Sequence, residues 1–270
     1  MNRLICSIII IVFAVGCNSN TENKTLSAST DGSTTPIPYT VVKSFPHDTN
    51  SFTEGLLVHN GQLFESTGHT DSYASSRSLF GMVDMNTGKI DVKAEIDKHK
   101  YFGEGIVFLK DKIYQLTDTT HIGFVYNAGT YKKLDDFHYT GDGWALTTDG
   151  TYLIMSSGSS NIIYRDAGTF APEKTLNVTD NNGPVSNINE LEFINGFIYA
   201  NQWLTNYIIK IDTSTGKVTG KLDLSALASE AKSIYAGAAE MNGIAFDAAA
   251  NKIYVTGKLW PRIYEIKFNH

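Results

Sequence analysis

Glu104-Gly105-Ile106-Val107-Phe108 runs into a polar turn and, nine residues after Glu104, into Ile113-Tyr114. The pattern is a short apolar strand, a tight turn and a second apolar strand. It recurs along the chain. The other first strands read Glu54-Gly55-Leu56-Leu57-Val58, Trp144-Ala145-Leu146-Thr147-Thr148, Asn189-Glu190-Leu191-Glu192-Phe193 and Asn242-Gly243-Ile244-Ala245-Phe246. Their second strands begin at Leu63-Phe64, Leu153-Ile154, Ile198-Tyr199 and Ile253-Tyr254, at an offset of nine in every unit but the last, where it is eleven. A third strand and a polar hairpin follow in most units, as in Ile208-Ile209-Lys210-Ile211-Asp212 before Thr213-Ser214-Thr215-Gly216-Lys217. Short strands with turns at this spacing specify an all-β protein. Units of roughly 40 to 50 residues with four strands each specify propeller blades. The fold expected is therefore a five-bladed β-propeller. A two-sheet sandwich would leave five aligned units unexplained.

The last unit stops at Arg262-Ile263-Tyr264-Glu265-Ile266 without a fourth strand, whereas Tyr39-Thr40-Val41-Val42-Lys43-Ser44-Phe45 has no blade of its own. Pairing the two closes the ring and removes the exposed sheet edges. The only helix expected is a short one over 222–231.

Register places Glu54, Glu104, Trp144, Asn189 and Asn242 at equivalent positions on the innermost strands, facing the central channel. Two carboxylates, an indole and two amides then converge on one mouth. Such residues also serve simply to satisfy backbone groups and water in a channel, and register alone does not separate the two uses. Phe52 and Phe102 lie two residues before the two glutamates, and Trp203 and Trp260 follow second strands. Propeller aromatics commonly pack between blades. At a channel mouth they build an apolar pocket with a few polar groups, the usual form of a ligand site.

The chain has 270 residues and a formal net charge of -6. A mildly acidic protein has no electrostatic reason to hold nucleic acid. Residues 1–17 read as a bacterial lipoprotein signal. Arg3 is followed by an apolar run too short to span a bilayer, ending in Phe13-Ala14-Val15-Gly16-Cys17. Cys17 is the expected lipidation site, and the cell envelope the expected location. Membrane contact would be through the anchor only. Cys6 and Cys17 are the only cysteines, so the processed chain has neither a disulfide nor a cysteine-based zinc site. Residues 18–38, nearly free of large apolar side chains, are expected to be a flexible linker, and 39–270 the propeller domain. Gly-x-Ser-x-Gly and His-Glu-x-x-His are absent, and the seven histidines are dispersed. No metal and no cofactor is expected.

Read together, Ser51-Phe52-Thr53-Glu54-Gly55-Leu56, Phe102-Gly103-Glu104-Gly105, Gly143-Trp144-Ala145-Leu146-Thr147-Thr148-Asp149-Gly150, Asn189-Glu190-Leu191-Glu192, Tyr199-Ala200-Asn201-Gln202-Trp203, Met241-Asn242-Gly243-Ile244-Ala245 and Thr256-Gly257-Lys258-Leu259-Trp260-Pro261 resemble the glutamine cyclotransferases of plants and bacteria. The resemblance runs from about Tyr39 to Phe268 and includes motifs in every blade. It implies a five-bladed propeller, acting as a monomer, that converts the N-terminal glutamine of a peptide or protein to pyroglutamate with release of ammonia and without a metal. It also implies Glu104 as the catalytic acid–base group. Phe52, Glu54, Phe102, Trp144, Asn189, Glu190, Trp203, Asn242, Lys258 and Trp260 are implied around the substrate. The chain departs from the family pattern at Glu54, where glutamine is usual, at Asp118, where tryptophan is usual, and at Ser157, where aspartate is common. Two other readings compete with this one: a non-catalytic propeller binding a peptide or glycan, and a lactonase-like propeller holding calcium between Glu54, Glu104 and Glu190.

Overall fold

In the computed structural model, which describes residues 34–270, five antiparallel sheets stand around a central channel. Blade 1 runs outward through Thr53–His59, Gln62–Thr67, Leu79–Val83 and Ile90–Glu95. Blade 2 follows through Phe102–Leu109, Lys112–Asp118, Ile122–Asn127 and Lys133–His138. Blade 3 comprises Leu146–Thr148, Leu153–Met155, Asn161–Arg165 and Pro172–Asn177. Blade 4 comprises Ile188–Ile194, Phe197–Gln202, Tyr207–Asp212 and Val218–Asp223. Blade 5 has Met241–Asp247, Lys252–Gly257 and Arg262–Lys267, and takes its outermost strand, Thr40–Pro46, from the start of the domain. The pairing of Thr40 with Lys267 through Pro46 with Arg262 closes the ring as the sequence implied.

Burial follows the blade. Inner strands are almost wholly buried, because each lies against the inner strands of its neighbours. Outer strands such as Lys133–His138 alternate or face solvent. The core consists of clusters, several of them shared between adjacent blades. Leu56, Leu63 and Val83 of blade 1, for example, pack on Ala245 and Ile263 of blade 5. The inner strands approach so closely that a β-carbon on Gly105 would stand 2.6 Å from Ala145 Cα of the next blade. Glycine there is a packing requirement.

Two boundaries differ from expectation. The expected linker reached residue 38, yet Thr35–Pro36 pairs in parallel with the outer strand of blade 4, and Ile37 N donates to Lys221 O at 2.8 Å. The chain is thus already held by the domain at Thr35. The helix is Ser225–Ile234 rather than 222–231. Leu222 is fully buried in the strand Val218–Asp223, and the Asp223 carboxylate accepts from Ser225 N at 3.0 Å, turning the chain just before the helix. The expected signal segment and Cys17 lie outside the described residues.

Candidate active site

A bulge in each of four inner strands decides what reaches the channel. Pairing shifts register between Thr53 and Gly55, Gly103 and Ile106, Ile188 and Leu191, and Met241 and Ile244. Glu54, Glu104, Asn189 and Asn242 fall within those breaks. A bulge leaves its extra residue unpaired and re-aims the side chain. In blade 3 the regular strand starts only at Leu146, although Trp144 N still donates to Ser156 O at 3.0 Å. The bulges are held from the preceding blade. Ser66 Oγ donates to Glu104 O, Ser156 Oγ donates to Asn189 O at 2.7 Å, and Asn201 Oδ1 accepts from Gly243 N at 2.9 Å. These three side chains were missed in the sequence. Their signal was a small polar residue twelve positions after Glu54, Trp144 and Asn189.

The result is a pocket of about 300 Å³ at one end of the channel. Glu54, Glu104 and Asn189 line it together with Lys258, Phe52, Phe102, Trp144 and Trp203. Thr70 and Asp118 complete it. Asp118 ends the second strand of blade 2. Thr70 belongs to the loop after Gly68 and was not singled out, since loop residues carry no register. Phe52 and Phe102 meet edge-on with centroids 6.1 Å apart, and Trp144 and Trp203 do so at 5.5 Å. Gly158, at φ +71°, lies under the Trp144 ring, where any β-carbon would collide with it.

Lys258 is the one cationic residue of the lining. Its Nζ stands 2.7 Å from Glu54 Oε1 and 4.6 Å from the centroid of Phe52. The turn that carries it is pinned by Lys258 N donating to Glu240 O and Ala239 N donating to Lys258 O, both at 2.8 Å. Burial opposes the charge on Lys258, but Glu54 and then Glu104 outweigh it and hold the ammonium above its ordinary range. Glu54 also accepts from Asn242 Nδ2 at 3.1 Å. Burial, only partly offset by Lys258, pushes its carboxyl up to about 7. Glu104 is pushed well above the usual carboxyl range, first by burial and then by Glu54. Its Oε2 is buried without a hydrogen-bond partner, as is Asn189 Oδ1. An isolated buried acceptor is costly, and these two belong to residues that line the pocket.

Three expected site residues lie elsewhere. Asn242 stands behind Glu54, bonded to it and to Thr53 O at 3.0 Å, rather than on the lining. Glu190 is in the channel wall, where its two oxygens accept from Leu56 N at 3.1 Å and Ile244 N at 2.8 Å. It thereby satisfies inner-edge amides of blades 1 and 5, which have no further strand to pair with. Trp260 is fully buried against Tyr264, with Nε1 donating to Ala239 O at 3.0 Å. The turn at Leu259 (φ 59°) sends Lys258 and Trp260 to different places, which spacing alone does not reveal. With Glu190 engaged by backbone amides and Glu54 paired with Lys258, the donor set is also wrong for a calcium ion.

Comparison with known proteins points to one family. A curated Arabidopsis thaliana protein, glutaminyl-peptide cyclotransferase, is 39% identical over 230 residues, which is 84% of this chain and 70% of that one. The crystal structure of Myxococcus xanthus glutaminyl cyclase superposes with a TM-score of 0.78 at 30% identity, covering 88% of this chain and 99% of that one. The family model described as glutamine cyclotransferase matches residues 9–268, and the chain belongs to the glutamine cyclotransferase family.

Proposed function

We propose that the protein cyclises N-terminal glutamine of peptides or proteins to pyroglutamate, with Glu104 as the proton-transferring group. The observation that carries the assignment is the buried, partnerless Oε2 of Glu104 in a pocket walled by aromatic rings. In the reaction the α-amine nitrogen attacks the side-chain carboxamide carbon. A C–N bond forms to the amine and the C–N bond to the carboxamide nitrogen breaks. The amine loses one proton and the leaving nitrogen gains one, so a single carboxyl that gives and takes balances the step. Glu104 enters protonated, because burial and Glu54 hold its proton tightly. It donates to the departing nitrogen and accepts from the attacking one. Asn189 Oδ1 is free to accept an N–H of the substrate and orient it. The aromatic walls hold the aliphatic part of the side chain and keep water out, which strengthens these polar contacts. Glu54 and Lys258 form a charge-balanced pair that keeps the ammonium from quenching Glu104 outright.

Purified protein incubated with a glutamine-initiated peptide is expected to release ammonia, and the peptide to lose the mass of one ammonia. A peptide of unchanged mass overturns the reading.

We also propose that the chain is anchored to the cell envelope through a lipidated Cys17. The support is the apolar run ending in small residues before that cysteine. Cys17→Ser is expected to move the protein out of the membrane fraction. Unchanged fractionation rules the anchor out.

A further inference from the structure

Leu204 is the most exposed large apolar side chain among the described residues, at 64%, and it sits in the left-handed region at φ 64°. The left-handed region is uncommon for a residue as bulky as leucine, and here it holds the side chain out to solvent. Leu204 directly follows Trp203 of the active-site pocket. It forms one wall of a second depression, about 470 Å³, whose other side is the face of helix Ser225–Ile234 carrying Ala228, Ser229 and Lys232. Ala238, Ala239 and Glu240 line its remaining side. The two cavities share two boundaries. One is the consecutive pair Trp203 and Leu204. The other is the paired backbone of Lys258 with Ala239 and Glu240. Glu240 is also close enough to Glu54 to raise its pKa. The groove therefore lies beside the pocket.

A glutamine whose side chain and amine fill a pocket of about 300 Å³ must send its carbonyl and the rest of the peptide out through the mouth. We infer that the groove between Leu204 and helix Ser225–Ile234 is a second binding subsite, holding the two or three residues that follow the N-terminal glutamine of a peptide substrate. The inference rests on the cyclisation proposed above. The lining fits an extended chain: small side chains at Ala228, Ser229, Ala238 and Ala239 leave room for backbone, and Leu204 offers an apolar contact. Glu240, a carboxylate on the groove wall near enough to Lys258 to raise its pKa, is placed to meet an N–H or a cationic side chain.

The test fills the groove without touching the pocket. Ser229 is exposed on the helix, so Ser229→Trp occupies the groove at no cost to the core. Turnover is measured on glutamine amide, which reaches only the pocket, and on a glutamine-initiated hexapeptide. In the variant, kcat/KM for the hexapeptide is expected to fall about tenfold through KM, while glutamine amide is turned over at the wild-type rate. The amide also reports that the variant is folded. Equal turnover of the hexapeptide by variant and wild type overturns the subsite. So does an equal loss on both substrates, which places the effect in the pocket. Binding of the two pyroglutamyl products, followed by tryptophan fluorescence, decides the matter without turnover. The long product is expected to bind wild type more tightly than the short one, and Ser229→Trp to abolish the difference. Absence of any length dependence in wild type sinks the subsite, whereas length-dependent binding without turnover sinks only the cyclisation.

Discussion

Glu104 and Glu54 occupy equivalent bulges, yet their surroundings give them different parts. Glu54 has Lys258 and Asn242 as partners, and Glu104 Oε2 has none. Burial raises both carboxyls, and only Glu54 has an ammonium within hydrogen-bond distance to offset it. Replacing Glu104 by glutamine preserves shape and removes the proposed proton shuttle, so kcat is expected to fall about 10²- to 10⁴-fold with an unchanged melting temperature. Near-full activity in that variant would remove Glu104 from the mechanism. Glu54→Gln gives a finer test. The two acids titrate as a coupled pair. Removing the Glu54 charge takes away a cause that raises Glu104 and leaves Lys258 free to lower it. The alkaline limb of the kcat/KM profile, which reports loss of the Glu104 proton, is expected to move to lower pH. The acid limb follows the substrate's α-amine at about 7.7 to 8.0 and is expected to stay in place. An alkaline limb that does not move would break the link between the two acids.

Among the elements, the end of the closing strand carries the most interdependent contacts. His47 follows Thr40–Pro46 and is buried. Its Nε2 lies 3.1 Å from both oxygens of Glu65 in blade 1, and its Nδ1 lies 2.7 Å from Trp260 O, beyond blade 5's second strand. Thr53 Oγ1 donates to Glu65 Oε1 at 2.7 Å. One imidazole thus joins first blade, last blade and closing strand. Burial works against its charged form, but Glu65, the Trp260 carbonyl and Asp48 together raise its pKa above 6.5. A raised folded pKa contributes stability that is fully present below the unfolded value and is lost as pH rises through the folded one. Urea midpoints are therefore expected to decline above about pH 6.5 in the wild type and to flatten in His47→Gln. His47→Ala leaves Glu65 buried without its cation and is expected to cost about 3 to 5 kcal/mol. A midpoint within error of wild type would show that the joint is not structural.

For the whole molecule, closure and charge set the behaviour. Without Thr40–Pro46 the strand Arg262–Lys267 becomes an open edge, and the ring loses the contact that makes its blades unfold together. Deleting 40–46 is expected to replace a single sharp thermal transition with a broad or absent one, read by circular dichroism. A sharp melt in that variant would mean the blades are held by their inner strands alone. With Glu104 protonated and Glu54 balanced by Lys258, Asp118 leaves the pocket lining net negative. Peptides with lysine after the glutamine are expected to be processed about tenfold more efficiently than those with glutamate there, with the gap closing in high salt. Asp118→Asn is expected to narrow it. Salt-independent rates would remove this electrostatic account.

Periodicity alone determined the number of blades, the borrowed strand and the positions on the inner strands. All of these follow from local alternation and from the need to leave no sheet edge unpaired. It also brought Glu54, Glu104 and Asn189 to the channel, each at a bulge at one point of its repeat, and Trp144 to the equivalent position just ahead of the regular strand of blade 3. What each polar group does there was decided in three dimensions. Glu190 occupies a register neighbouring Asn189, yet it is taken up by the amides of Leu56 and Ile244, which only the closed ring brings within reach. Trp260 and Lys258 are two residues apart and part company at a left-handed turn. Ser66, Ser156 and Asn201 matter through contacts with the next blade, which strand pattern does not encode. Local pattern fixes which face a side chain takes, whereas its partner comes from a blade distant in sequence, and the partner decides whether a buried polar group is structural or left free to react.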